Sequence, residues 1–195
     1  MSKAIWWIRR DLRLSDNPTL QAALQEGQVI PVFVLDSHLL ARTPARRQAF
    51  LFEGLERLSK SLQVRHSCLT IRSGKPAEVL ATLLAESGAE AIFAEEDFTP
   101  YARQRDAQIA NRLPMRLIQG QTVHHPAEVL KADGTPYTVF TPFSRTWKAV
   151  LPSHLSVLPS PGDMPTNALP SEELPEYVAQ PSFPAGEVEA QSRLN

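Results

Sequence analysis

At 195 residues, 43% hydrophobic and 21% charged, the chain can bury one sizeable core but is short of two domains of roughly 100 to 150 residues each. This composition excludes a disordered, collagenous or coiled-coil protein, and a single cysteine, Cys68, excludes an internal disulfide or a multi-cysteine zinc site. The net charge of −1 conceals an asymmetry: from residue 152 onward six acidic residues stand against one arginine, and eight of the 17 prolines are gathered there, which marks a boundary.

In chain order, β-rich apolar runs occupy residues 4–8, 29–35, 69–71, 91–94 and 115–118, and each gap has room for a helix. Such alternation predicts a parallel sheet. The runs are continuously apolar, as strands covered on both faces are. After the first run, Asp16-Asn17-Pro18 supplies a capping side chain before a proline at the first helical position, and Gly27 closes a helix over 18–26. Leu51, Leu55, Leu58 and Leu62 repeat at helical spacing and predict a second helix over 46–63. A third opens at Pro76, carries Val79, Leu80, Leu83 and Leu84 on one face, and closes before Gly88. The fourth runs over 100–112, stopped by Pro114. The expected fold is α/β: an open five-stranded parallel sheet with helices on both faces, Rossmann-like. A proline-rich linker or wrapping segment follows from residue 152. None of the apolar runs approaches the roughly 20 residues of a membrane span, and the first is too short for a signal-peptide core. A cytoplasmic protein with no membrane attachment is expected.

Open parallel sheets bind ligands at the carboxyl ends of their strands, where the strand order reverses. The common nucleotide signatures do not fit. No two glycines are separated by a single residue, and Gly74-Lys75 lacks both the earlier glycine and the following Ser or Thr of a phosphate loop. His38, His66, His124, His125 and His154 do not repeat on a helix face, so no metal site is expected. Two polar stretches do follow strands. Arg9-Arg10-Asp11-Leu12-Arg13 comes after the first, and Glu95-Glu96-Asp97, with Arg105 two turns into the next helix, comes after the fourth. Taken singly, the first reads as a solvated ion pair and the second as an acidic helix start. Phe143 and Trp147, four apart, read as an aromatic stripe that packs against something else.

Taken together, four stretches carry a family resemblance. They are W-x-R-R-D-L-R-L-x-D-N-P at 7–18, P-V-F-V-L-D at 31–36, P-x-x-R-x-R-D at 100–106, and P-Y-T-V-F-T-P-F-x-R-x-W at 136–147. In this order they resemble the N-terminal domain of the DNA photolyase and cryptochrome family. Pro184-Ala185-Gly186-Glu187 is similar to the start of the helix leading into that family's second domain. The resemblance implies an antenna-chromophore domain over 1–151 and an interdomain linker over 152–195, with the helical FAD domain absent from this chain. It implies that FAD photochemistry and damaged DNA belong to a parent deoxyribodipyrimidine photo-lyase, or alternatively a cryptochrome photoreceptor. This chain would then carry no catalytic residue and be inactive alone. A stand-alone nucleotide-binding module is the other reading of the same architecture.

The resemblance also implies where an antenna would sit. Carried over position by position, its contacts are Val34, Leu35 and Asp36 at the end of strand two, Arg46 at the start of the second helix, and Asp97 and Arg105 around the fourth strand's loop. Aspartates can accept from ring or ribityl donors, and arginines can answer a phosphate or phenolate. Folate-using members carry a glutamate where this chain has Ala102, which ranks 8-hydroxydeazaflavin first and FMN or methenyltetrahydrofolate behind it. Without the helical domain an apolar surface including Phe143 and Trp147 would be open, so a monomer or weak self-association is expected. Nineteen basic residues against fifteen acidic ones before residue 152 make too weak an electrostatic footprint for this chain alone to bind DNA.

Overall fold

A computed structural model describes residues 2–152, 156–180 and 182–194. Five strands, β1 (Lys3–Ile8), β2 (Gln28–Leu35), β3 (Thr70–Ser73), β4 (Ala91–Glu95) and β5 (Met115–Ile118), make one parallel sheet in the order β3-β2-β1-β4-β5. Ile5 of β1 stands level with Ile30 of β2 and Ile92 of β4. The order reverses between β1 and β4, which sets the crevice where such sheets take ligands.

Alternating side chains go to opposite faces, and each face is covered by helices. Trp6, Ile8, Phe33 and Phe93 pack with α1 (Pro18–Glu26) and with α3 (Ala45–Gln63) through Phe52, Leu55, Leu58 and Leu62. Ile5, Trp7, Val32 and Ile92 pack on the other side against Leu80 and Leu83 of α4 (Pro76–Ser87) and Ile109 of α5 (Pro100–Ala110). Burial of both faces is why β1, β2 and β4 are apolar but for Lys3, Gln28 and Glu95 at their ends. β5 is an edge strand with Arg116 exposed, paired to Glu26 and lying over Phe93.

Local signals account for the helix ends. Asn17 accepts a hydrogen bond from the Leu20 amide at 2.9 Å and Pro18 occupies the first turn of α1. Gly27 is required after it, because a Cβ there would fall 2.2 Å from the Ser2 carbonyl oxygen. Helix α5 ends at Ala110, two residues earlier than the sequence predicts, as Arg112 turns back to the Ile109 carbonyl ahead of Pro114. A short α2 (Ser37–Leu40), with no counterpart in the sequence reading, is capped by Asp36. Four residues are too few to show periodicity. Among the described residues no helix is long and apolar enough to cross a membrane.

The proline-rich segment lies along the sheet domain. Met164, 3% exposed, joins the core of α1 and α3, and Tyr177 meets Phe52 edge-on at 6.0 Å. Residues 171 and 172 cover the free edge of β3: the Glu172 amide donates to the Ile71 carbonyl at 2.9 Å, while Ser171 Oγ and Glu172 Oε1 accept from the Ile71 and Ser73 amides. An open parallel edge is thereby satisfied without a sixth strand. The segment ends in α7 (Glu187–Ser192), whose Glu187 accepts from the Leu14 and Ser15 amides at 2.8 and 3.0 Å.

The aromatic stripe does not enter a core. It lies on α6 (Phe140–Ala149), none of whose residues is buried. Phe143 leans on Tyr137, and Trp147 stands edge-on to the buried His124 at 5.2 Å.

Candidate functional site

The strongest electrostatic feature lies where β1 ends against α5. Arg9, the first residue beyond β1, donates through Nη1 to both Asp106 oxygens at 2.7 and 2.6 Å, and Arg105 Nε donates to the same carboxylate at 2.9 Å. The three side chains are 6, 11 and 3% exposed for Arg9, Arg105 and Asp106. Both guanidinium carbons lie 4.8 Å from the centre of the Trp7 ring. Burial pulls the Arg9 pKa below its ordinary value, with Asp106 opposing and Arg105 adding to the fall. Two cations thus share one anion, and among the described residues the buried Nη2 of each arginine lacks a hydrogen-bond partner. Buried donors without partners are costly, so this arrangement favours a ligand bringing an acceptor oxygen or negative charge.

A cavity of about 210 Å³ adjoins these arginines at the carboxyl ends of β1 and β2. Val34, Leu35, Leu40 and Leu51 give it apolar walls, and Arg9, Arg105 and Asp36 are its charged groups. Asp36 accepts from the His38 amide at 3.0 Å, capping α2, and from the Tyr101 hydroxyl at 2.5 Å. Burial, and then the bond to Asp36, pushes the Tyr101 pKa up to about 12. Tyr101 stacks on His38 at 4.8 Å with 12° between the rings, and both line a neighbouring groove. That open groove, of about 650 Å³, shares Asp36, Pro76 and Arg105 with the inner cavity. Pockets for small molecules span roughly 300 to 1,000 Å³, mostly apolar with a few placed polar groups, and cavity and groove together fit that description.

The DNA photolyase family model matches residues 4–164. The chain belongs to that family. An uncharacterized 31.6 kDa protein of Synechococcus sp. strain PCC 6716 is 38% identical over 179 residues, covering 88% of this chain and 63% of that protein. The deoxyribodipyrimidine photo-lyase of Synechococcus sp. strain PCC 6301 is 38% identical over 153 residues, covering 74% of this chain and 32% of the relative. The crystal structure of a class III photolyase from Agrobacterium tumefaciens superposes with a TM-score of 0.75 at 27% identity, covering 99% of this chain and 38% of that one. The chain therefore spans between about a third and just under two thirds of the length of these relatives.

Of the six positions the family pattern singles out, Val34, Leu35, Asp36 and Arg105 line the inner cavity. Asp97 and Arg46 do not. Asp97 accepts from the Thr99 amide at 2.9 Å ahead of α5 and pairs with the exposed Arg10 at 3.3 Å. Burial alone would raise its pKa, but these hydrogen bonds outweigh it and hold the carboxyl below its ordinary value. Arg46 is exposed in the first turn of α3, one turn ahead of the buried stripe that begins at Ala49, and borders surface grooves beside Tyr177, Gln180 and Phe183. The photolyase-family pattern also left unassigned three groups that the fold brings to the site: Arg9, Trp7 and Tyr101. Arg9 carried a signal in its place directly after a strand, but its partner Asp106 is 97 positions away, beyond any spacing argument.

Proposed function

We propose that this chain is the light-harvesting antenna domain of a deoxyribodipyrimidine photo-lyase. In this reading it holds a planar chromophore in the cavity between β1, β2 and α5. The observation that carries it is the pair of buried guanidiniums, Arg9 and Arg105, sharing Asp106 beside an apolar cavity with their Nη2 groups unpartnered. When bound, the chromophore absorbs blue light and passes the excitation through space to FAD in a helical domain of the parent protein, which repairs cyclobutane pyrimidine dimers in DNA. This division of labour asks only for a fixed position and orientation, so no residue of this chain takes part in bond making and the chain alone is inactive.

Each side chain has a role of holding. Val34 and Leu35 form an apolar wall, and Asp36 accepts from a ring or side-chain donor while keeping Tyr101 in place. Arg9 and Arg105 answer an oxygen of the ring through Nη2. Their surplus positive charge favours a chromophore whose ring carries an acidic oxygen, so 8-hydroxydeazaflavin ranks ahead of FMN and methenyltetrahydrofolate. In this assignment residues 1–151 are the antenna unit, and residues 152–195 connect it to the second domain.

The test is a titration of the purified chain with 8-hydroxydeazaflavin, FMN and methenyltetrahydrofolate, followed by absorption and fluorescence. A saturable spectral shift is expected, weakened about tenfold or more by Arg105→Gln and little changed by Asp97→Ala. A chain that binds none of the three sinks the antenna reading. An Asp97→Ala effect as large as that of Arg105→Gln would place the chromophore elsewhere.

A further inference from the structure

Trp7 has surroundings that holding a ring in place does not call for. Its side chain is buried and lines the inner cavity, with the guanidinium carbons of Arg9 and Arg105 each 4.8 Å from its ring centre. Trp6 packs on the opposite face of the sheet and Trp147 lies on α6, which leaves Trp7 as the indole beside the cavity. Arg105 also stands 5.5 Å from the centre of the Tyr101 ring, which lines the neighbouring groove. One guanidinium therefore faces both of the readily oxidised rings at this site.

An indole gives up an electron easily, and a pigment that has absorbed light is a strong one-electron acceptor. Trp7 can therefore pass one electron to an excited ring lying against it and become an indole radical cation. The same electron then returns, both partners are back in their ground states, and the light energy has left as heat. Nothing is oxidised on balance, but nothing remains to be transferred. A cation beside the indole opposes the first of these steps. It is drawn to the electron-rich face of the neutral indole and repelled once the indole carries a positive charge. The Arg9 and Arg105 side chains are only 6 and 11% exposed, so water screens little of that repulsion. Asp106 balances one guanidinium, and a second buried charge without its own anion costs stability, which points to a use beyond the fold.

We propose that Arg9 and Arg105 hold the Trp7 indole against one-electron oxidation, so that light energy absorbed beside it is kept for transfer. The inference rests on the antenna reading above and gives the two arginines a second duty. Besides answering an oxygen of the ring, they insulate it from the electron donor in its own wall.

Two arms test this, the first without any chromophore. In the unloaded chain, with Trp147→Phe removing the less buried indole, flash-generated ruthenium(III) tris(bipyridine) oxidises the remaining indoles at a rate read from the radical absorbance. Arg105→Met leaves Arg9 and Asp106 as a neutral pair and is expected to speed this oxidation about tenfold or more, because a charge so close to the ring is far stronger in a poorly solvated site than in water. Arg105→Lys, which keeps the charge, should stay near the parent rate, and Trp7→Phe should abolish the gain. In the second arm the chain is saturated with whichever of 8-hydroxydeazaflavin, FMN and methenyltetrahydrofolate it binds, and the fluorescence lifetime is followed. Arg105→Met should shorten it severalfold as an indole radical appears, Arg105→Met/Trp7→Phe should restore it, and Trp7→Phe alone should change it little. Circular dichroism checks the fold of each variant, and the Trp7→Phe comparison stands whether or not Arg105→Met folds. An oxidation rate indifferent to the charge at residue 105, or a parent lifetime that Trp7→Phe lengthens severalfold, overturns the insulating role and leaves the antenna reading standing. Binding of none of the three overturns the antenna reading, and this inference with it.

Discussion

Arg9 grips both oxygens of Asp106, at 2.7 and 2.6 Å, across 97 positions of sequence, and so ties the end of β1 to the second turn of α5. The pair is almost wholly buried and a second guanidinium, Arg105, leans on the same carboxylate. Removing the anion would strand two buried cations. Asp106→Asn is therefore expected to lower stability by about 3 to 5 kcal/mol, the range for breaking a buried pair from one side. Urea unfolding checks this. Adding Arg9→Met to Asp106→Asn should recover part of the loss, since one stranded charge goes with it. Equal or greater loss in the double variant would mean that Arg9 contributes mainly by packing on Trp7.

Tyr101 makes a prediction at the alkaline end. Its hydroxyl donates to Asp36, so only the protonated phenol can hold the bond. Burial and that bond raise its pKa from 10.0 to about 12. A raised folded-state value means that the contribution is complete below pH 10 and is lost as pH climbs toward about 12. Tyr177 is also pushed up to about 12, by burial first and Glu56 next, so two of the three tyrosines should ionise late in a phenolate absorbance titration. Tyr101→Phe should delete one late component and flatten the alkaline loss of stability. Loss of an ordinary component at about pH 10 instead, with the late amplitude unchanged, would show the Asp36 bond to be absent in solution.

Much of the sheet is legible in the sequence because burial on both faces leaves few choices of residue. The apolar runs of β1, β2 and β4 declare themselves, and Asn17-Pro18 and Gly88 mark helix ends through backbone chemistry that acts within a few residues. Contacts between distant segments are not legible in this way. The prolines after residue 152 say that the segment is neither helix nor central strand, yet nothing local says that Met164 reaches a core or that Glu172 completes the edge of β3. Half of the site follows the same rule. Asp36 and Arg105 sit in recognisable motifs, whereas the reach of Arg9 to Asp106 and of Tyr101 to Asp36 depends on how β1, β2 and α5 are brought together.

The docked segment can be tested through Met164. Its side chain is 3% exposed within the core shared by α1 and α3, so Met164→Ala leaves a cavity and should cost about 2 to 3 kcal/mol. Hydrogen exchange should distinguish docking from a loose linker. The Ile71 and Ser73 amides, which donate to Ser171 and Glu172, are expected to exchange slowly in the unmodified chain and faster in the variant. A change below about 0.5 kcal/mol, the size of an ordinary surface substitution, would show that the segment is undocked in solution.

The last prediction concerns α6. Exposed apolar residues scattered singly are normal, but Val139, Phe140 and Val150 are 59, 77 and 44% exposed on or next to one helix that buries nothing. Phe143 and Trp147 are only half-covered, by Tyr137 and His124. Apolar groups exposed along one helix gain by being covered, and a second copy of the chain is always at hand at high concentration. Weak self-association that grows with concentration is expected in sedimentation velocity. Phe140→Ser should shift it toward monomer while moving stability by no more than about 0.5 kcal/mol, as the ring supports no core. A strictly monomeric parent chain at high concentration would mean that these apolar groups are too dispersed to act as one surface.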